Sequence, residues 1–169
     1  MDMEAIVHEA PEGHKVELRL WLRLLSTANL ISGEVRRRLR AEFGLTLPQF
    51  DVLAQLDRAK GGVRLGELSE RMMVTNGNVT GLVARLESEG YVRREITEQD
   101  RRVTVARLTP LGRRRFRVFA AAHETWLAEM LSQVDEEARE SLLQRLGAVK
   151  ASVRRHLGGQ EEEGKPPAA

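Results

Sequence analysis

A chain of 169 residues with 41% apolar and 31% charged residues has the length and balance of one folded domain, not of a disordered segment. Its 27 Lys and Arg against 25 Asp and Glu leave a formal charge of only +2, so net charge alone does not point to a polyanionic partner. The absence of cysteine excludes disulfides, thiolate metal sites and a thiol redox switch, and no run approaches the roughly 18 apolar residues of a membrane span.

The opening MDMEAIVHEAPEGHK has early acids and no long apolar core, so no secretory signal is expected and the cytoplasm is the expected location. Residues 1–13 read as a flexible tail. From His14 to Phe43 there is no proline, and Leu18, Leu22, Leu25, Asn29, Ser32, Val35, Leu39 and Phe43 make a helical stripe that Gly44 ends. Pro48 suits the start of the next helix, PQFDVLAQLDRAK, with Phe50, Val52, Leu53 and Leu56 inward. Gly61-Gly62 break it, Arg64 and Leu65 form a short extended link, and GELSERMM gives a helix of about two turns. Val74 and Thr75 are the turn into NGNVTGLVARL, with Thr75 the N-cap and Gly90 a left-handed stop. The period then shifts to alternation: YVRREIT and RVTVARL read as two strands joined by EQDR. Thr109-Pro110 fits the cap and first position of a helix to about Leu131, and Asp135 starts another to about His156. The end, GGQEEEGKPPAA, reads as a second flexible tail over 158–169.

Two short helices joined by a turn, a helix before them and a hairpin after them make a winged helix-turn-helix: a mainly α fold with a small β-hairpin wing and long dimerisation helices. The second short helix of such a unit lies in the major groove. With Val79, Leu82 and Leu86 inward, its opposite face is Gly77, Gly81, Ala84 and Ser88, flanked by Asn76, Asn78, Thr80 and Arg85. Two interior glycines each cost a helix about 1 kcal/mol. One account is a face stripped of bulk so that the backbone can approach base edges, where Asn suits adenine, Arg suits guanine and the threonine methyl suits thymine. The other is structural: Gly77 lies near the helix start, and Gly81 packs on a neighbouring helix. Arginines cluster downstream at 93, 94, 101, 102, 107, 113, 114, 115 and 117, an electrostatic footprint for a polyanion or simply a solvated face.

The run from Leu65 to Gly112 resembles the MarR family of transcription regulators. DRRVTVARLTPLG, Asp100 to Gly112, fits that family's D-x-R wing followed by L-T-x-x-G, and LESEGYVRR fits as well. The resemblance implies a winged-helix homodimer spanning residues 14–157. Its DNA-binding head would be 48–108, its dimerisation helices 14–43 and 110–157, and its target a pseudo-palindromic double-stranded DNA. It also implies that Arg102 enters the minor groove while Asp100 holds a neighbouring arginine; Arg101 shares the candidacy. Thr75, Asn76, Gly77, Asn78, Thr80, Gly81 and Arg85 complete the expected DNA-binding set. Promoter occlusion, hence repression, is the implied mode.

No phosphate loop, nucleophile motif or paired histidines argue for an enzyme, a cofactor or a metal; His123 and Glu124 could contribute to a metal site, against the reading of a solvent-facing or capping histidine. A winged helix that binds protein instead of DNA is the alternative reading. Family resemblance further implies a small effector, an aromatic acid or its acyl-CoA ester, against Trp21, Leu25, Asn29, Phe50 and Leu53. Arg36 and Arg38, in EVRRRLR, would hold phosphates; plain core packing and solvated or DNA-contacting arginines are the competing accounts.

Overall fold

The structure, a computed structural model, describes residues 16–96 and 103–163, with side chains of its last helix to residue 158. It forms two compact units that divide after Leu127. The first begins with α1 (Val16–Phe43), α2 (Leu47–Arg58), a two-residue strand β1 (Val63–Arg64), α3 (Leu65–Met72) and α4 (Asn76–Ser88). Strands β2 (Val92–Ile96) and β3 (Thr104–Leu108) follow, then α5 (Pro110–Met130), most of which belongs to this unit. The second unit holds α6 (Glu136–Glu163). Among the described residues no helix is long and apolar enough to cross a membrane.

Local chemistry sets these limits. At the end of α1, Gly44 takes φ +68° and Leu45 N–H reaches back to the Leu39 carbonyl at 3.2 Å, closing the helix on its last orphan acceptors. The start of α2 is a capping box one residue ahead of the helix: Thr46 Oγ1 accepts from Gln49 N–H at 3.4 Å, and Gln49 Oε1 accepts from Thr46 N–H at 2.9 Å. Gly90, φ +75°, ends α4 in the same way as Gly44 ends α1, with Tyr91 N–H on the Leu86 carbonyl at 2.9 Å.

The link expected at Arg64 and Leu65 is a third strand followed at once by helix. Val63 pairs with Ala106 and Arg64 with Val105, giving an antiparallel sheet of order β1-β3-β2. Two residues carry no readable period, so this strand is invisible to alternation. It needs Gly62, at φ +83°, where an added Cβ would lie 2.8 Å from the Ala106 carbonyl oxygen. In the hairpin, Val92 pairs with Leu108 and Ile96 with Thr104; the expected EQDR loop lies outside the described residues. The helix expected to close near His156 continues to Glu163, through Gly158 and Gly159. Glycine lowers helix propensity without forbidding the helix.

The core of the first unit is built from Leu39, Leu45, Leu53, Leu56, Leu68, Val79, Val83 and Leu86, all essentially without solvent exposure. Aromatic rings extend it along α5: Phe43 lies 4.8 Å from Phe119 and 6.0 Å from Trp126, and Phe50 lies 5.6 Å from Phe116. The amino-terminal end of α5 is docked on the backbone beside Tyr91. Thr109 Oγ1 accepts from Gly112 N–H at 2.9 Å and donates to the Gly90 carbonyl at 2.6 Å, while Thr109 N–H donates to the Tyr91 carbonyl at 2.9 Å. A Cβ on Gly112 would collide with that same Tyr91 carbonyl oxygen. Gly112→Ala should therefore destabilise the fold by about 1–3 kcal/mol through overpacking. Gly147→Ala, where nothing lies within 4 Å of the new methyl, should stabilise it. Urea melts of the two variants check both signs.

Candidate nucleic-acid interface

α4 is held from below by Val79, Val83 and Leu86, which are fully buried, whereas Leu82, expected inward, is only half-buried. The stripe 79, 83, 86 thus runs along one edge of the expected face, and Leu82 falls on its shoulder. Opposite it, Gly77, Asn78, Thr80, Gly81, Arg85 and Ser88 are exposed, and Ala84 is half-exposed. A Cβ built on Gly77 or Gly81 meets nothing within 4 Å. Within the described chain neither glycine is a packing glycine, which removes the packing account of Gly81 and leaves a bare outward face; Gly77, the second residue of α4, keeps its place at the helix start as a structural account.

The flanking polar groups divide into two sets. Asn76 is used by the fold: Ser69 Oγ lies 2.5 Å from Asn76 Oδ1 and 2.7 Å from the Gly66 carbonyl. Ser69 Oγ carries one hydrogen and has two acceptors in reach, the Asn76 amide oxygen and the Gly66 carbonyl. Ser69 is buried, and its contact with Asn76 straps α4 to α3 across the turn. Thr80 Oγ1 donates back to the Asn76 carbonyl at 2.9 Å, and Thr75 Oγ1 caps Asn78 N–H at 3.4 Å. Asn78 is exposed, and Arg85 has a long 3.4 Å contact with Glu89 while its side chain stays 67% exposed. Asn78 and Arg85 are the long polar arms presented outward.

Several arginines that the sequence counted in one basic footprint are matched by carboxylates. Glu87 on α4 accepts from Arg94 N–H at 3.0 Å and from Arg94 Nε at 2.7 Å, tying the helix to β2. Those hydrogen bonds, more than charge attraction, hold the Glu87 carboxyl below its ordinary pKa. The tie is therefore complete above the usual glutamate range and is lost as acid titrates the group through its lowered pKa. Glu95 lies between Arg93 at 3.0 Å and Arg107 at 2.9 Å. The Arg115 guanidinium covers the Phe119 ring at 5.1 Å. Asp100, Arg101 and Arg102, at the expected wing tip, lie outside the described residues.

The expected effector residues do not come together in one chain. Phe50 and Leu53 are buried, and the Phe50 ring meets Phe116 and, at 5.0 Å, His123. Trp21 is 56% exposed, Asn29 is exposed and Leu25 half-buried. At the rise of an α-helix Trp21 stands about 33 Å along α1 from Phe43, the residue that anchors α1 to α5, so it does not wall a cavity with Phe50 of its own chain. Glu34 binds both Arg37, at 2.7 and 2.8 Å, and Arg38, at 2.6 Å, and these bonds lower its pKa to about 2. The Arg38 guanidinium also lies 5.8 Å from the Trp126 ring centroid, so it is spent on the fold; Arg36 is exposed. Among the described residues no three His, Asp or Glu form a group able to hold a metal. Ser69 and Glu87 are the positioning residues that sequence reasoning missed, because a hydroxyl seven residues before an amide has no helical or strand period to mark it.

Residues 43–103 match the family described as MarR family. The transcriptional activatory protein BadR of Rhodopseudomonas palustris is 38% identical over 110 residues, which is 63% of this chain and 62%, less than two thirds, of that protein. The structure of a MarR family transcriptional regulator from Silicibacter pomeroyi is similar at 36% identity and a TM-score of 0.70, over 81% of this chain and 94% of that one. Sco3205, a MarR family transcriptional regulator from Streptomyces coelicolor solved in complex with DNA, is 25% identical with a TM-score of 0.71, over 85% and 92% of the two chains.

The open space above α4 has a direct consequence for stability. Gly81→Ala should stabilise the protein by about 1 kcal/mol, since it gains helix propensity and meets no neighbour. Ser69→Ala should destabilise it by about 1 kcal/mol through loss of the strap. Thermal melts of the pair distinguish a bare face from a packed one.

Proposed function

The chain belongs to the MarR family of transcriptional regulators, and from that premise we propose that it is a cytoplasmic, homodimeric, sequence-specific binder of double-stranded DNA that represses by occluding a promoter. The observation that carries this reading is the bare face of α4. Gly77 and Gly81 open the helix backbone outward, and Asn78, Thr80 and Arg85 supply the amide, hydroxyl and guanidinium groups around it. Stability gives no reason to leave Gly81, inside the helix, in open space, whereas close approach to base edges does. Sco3205, solved in complex with DNA, supports the same use of the fold.

Dimerisation through α1, α5 and α6, flanking a head over 48–108, is supported by the apolar residues these helices leave in solvent. On α1 these are Val16, Leu20, Trp21 and Leu30; on α6 they are Leu142, Leu143, Leu146, Val153 and Leu157. A two-fold dimer would set two α4 helices about 34–36 Å apart, one turn of a pseudo-palindrome. Arg102, with Arg101 beside it and Asp100 as the orienting acid, would enter the minor groove, whose narrow stretches attract arginine. Activation is a second reading, favoured by the relative that is named a transcriptional activatory protein; the position of the bound site relative to the promoter would set the sign, and transcription in vitro from the cognate promoter reads it.

Selection of bound duplexes from a random pool tests the reading as a whole. A protein-binding winged helix would show no steep dependence of duplex affinity on salt and no enriched sequence. Arg102→Ala should weaken operator binding at least about tenfold and lower the salt slope, with the dimer intact by sedimentation. Gly81→Leu should stay folded and lose operator binding, because a branched side chain would stand where the groove floor must come.

For the effector, an aromatic acid or its acyl-CoA ester would lie between copies, since Trp21 is too far along α1 to meet Phe50 and Leu53 of its own chain. Leu25 and Asn29 share that stretch of α1, and Arg36 is the exposed arginine placed to meet a phosphate. Release of DNA requires that the ligand prefer dimers whose heads are wrongly spaced, because equal affinity for both forms shifts nothing. Calorimetry with free acid and CoA ester separately should show tight ester binding that Arg36→Ala weakens, with Arg38→Ala acting through fold stability instead. Binding of neither compound would remove the pocket.

A further inference from the structure

The turn between α3 and α4 holds a residue whose side chain the fold does not account for. Met73 has φ 54° and ψ 40°, the one non-glycine residue with positive φ among the described residues. At the other positive-φ positions, 44, 62 and 90, this chain uses glycine. Left-handed backbone strains any residue that carries a Cβ and spares glycine. The methionine recovers nothing from the fold for that strain, because Met73 is 94% exposed, more than any other large apolar residue described. The left-handed turn itself closes α3, with Met73 N–H on the Glu70 carbonyl and Val74 N–H on the Ser69 carbonyl, both at 3.1 Å; what the fold leaves unused is the methionine side chain, at a position where glycine would be unstrained.

Its place in the chain says what that is. Met73 lies two residues before Thr75, the N-cap of α4, and Val74 beside it is also exposed. This is the end of α4 that leads into a groove if the DNA-binding reading holds, on which this inference rests. Phosphates and most base-edge atoms of the major groove are polar; the apolar feature there is the thymine C5-methyl. A thioether on an unbranched, flexible stem adapts its shape to such a group. We propose that Met73 is a specificity-determining residue that packs against a thymine methyl at the edge of each half-site, and that methionine stands at this left-handed position in place of glycine because of that contact.

Removing the methyl without touching the protein tests this. In a duplex selected by the wild-type protein, each thymine is replaced singly by deoxyuridine, and binding of wild type, Met73→Gly and Met73→Ala is followed by fluorescence anisotropy. Wild type should lose about fourfold at one thymine per half-site, the worth of one buried methyl. Both variants should bind the unmodified duplex correspondingly more weakly and lose nothing further at that position. Met73→Gly should at the same time melt at a higher temperature than wild type, so its weaker binding is not unfolding. Variants that bind as wild type does, or that lose as much as wild type at every thymine, overturn the proposal while the DNA-binding reading stands. Failure of wild type to bind any selected duplex overturns both.

Discussion

The approach of α5 to the backbone at Tyr91 is the constraint on which the wing and α4 both depend. Thr109 closes the base of the hairpin with its amide and its hydroxyl, and it caps α5 through Gly112. Gly112, lacking a Cβ, lets the first turn of α5 lie against the Tyr91 carbonyl. The end of α4, the start of β2, the end of β3 and the start of α5 are thereby fixed within one small cluster of atoms. Closing the intervening hairpin costs chain entropy that grows only slowly with its length, so a single well-made base can support a long wing. Glu87 adds a second tie, joining α4 to β2 through Arg94. The L-T-x-x-G half of the sequence signature is thus an architectural device: it fixes the wing and α4 to the start of α5.

Aromatic residues are few, yet all but Trp21 serve one seam. Phe43, Phe50, Phe116, Phe119, Trp126 and Tyr91 meet ring to ring along α5, and Arg38 and Arg115 cover the outer rings. Ring pairs of this kind add about 0.5–1.5 kcal/mol each beyond the area they bury. They hold the carboxy-terminal half of α1 and the start of α2 against α5. The amino-terminal half of α1 receives no such support: the helix's buried residues, Val35 and Leu39, lie in its carboxy-terminal half, and Trp21 stands exposed far up the helix. An apolar helix that projects beyond its own core is the physical reason to expect a second copy.

The order of helices and strands was legible because each is marked locally: Gly44 and Gly90 as left-handed stops, Thr75 and Thr109 as caps, alternation in RVTVARL. The glycine face of α4 was legible as a pattern, but its meaning was not, since only the space around Gly81 separates a bare face from a packed one. What stayed hidden depends on pairs distant in sequence or on lengths too short for a period. The two residues of β1, the Ser69–Asn76 strap and the carboxylates that match Arg94 and Arg107 are all of this kind. The arginine count overstated the basic surface for the same reason, because Glu87 and Glu95 are near these arginines in space while composition counts them apart. The effector pocket failed within one chain on simple length, Trp21 being too far along α1 to face Phe50.

Across the helix-turn-helix, favourable and unfavourable choices are segregated by face. The inner face of α4 is fully buried at Val79, Val83 and Leu86, and at about 1.5–2 kcal/mol for each such side chain it supplies more than the two outward glycines remove. Ser69 and Asn76 hold the angle between α3 and α4, so the weak propensity of the outer face does not let the helix fray at its start. Only with that support can the turn keep a methionine where glycine would be easier. Stability in this region is set from below, by burial and one buried hydroxyl, which leaves the outward residues to be chosen for what approaches them. A protein that used α4 only for packing would have no reason to keep the two faces so different.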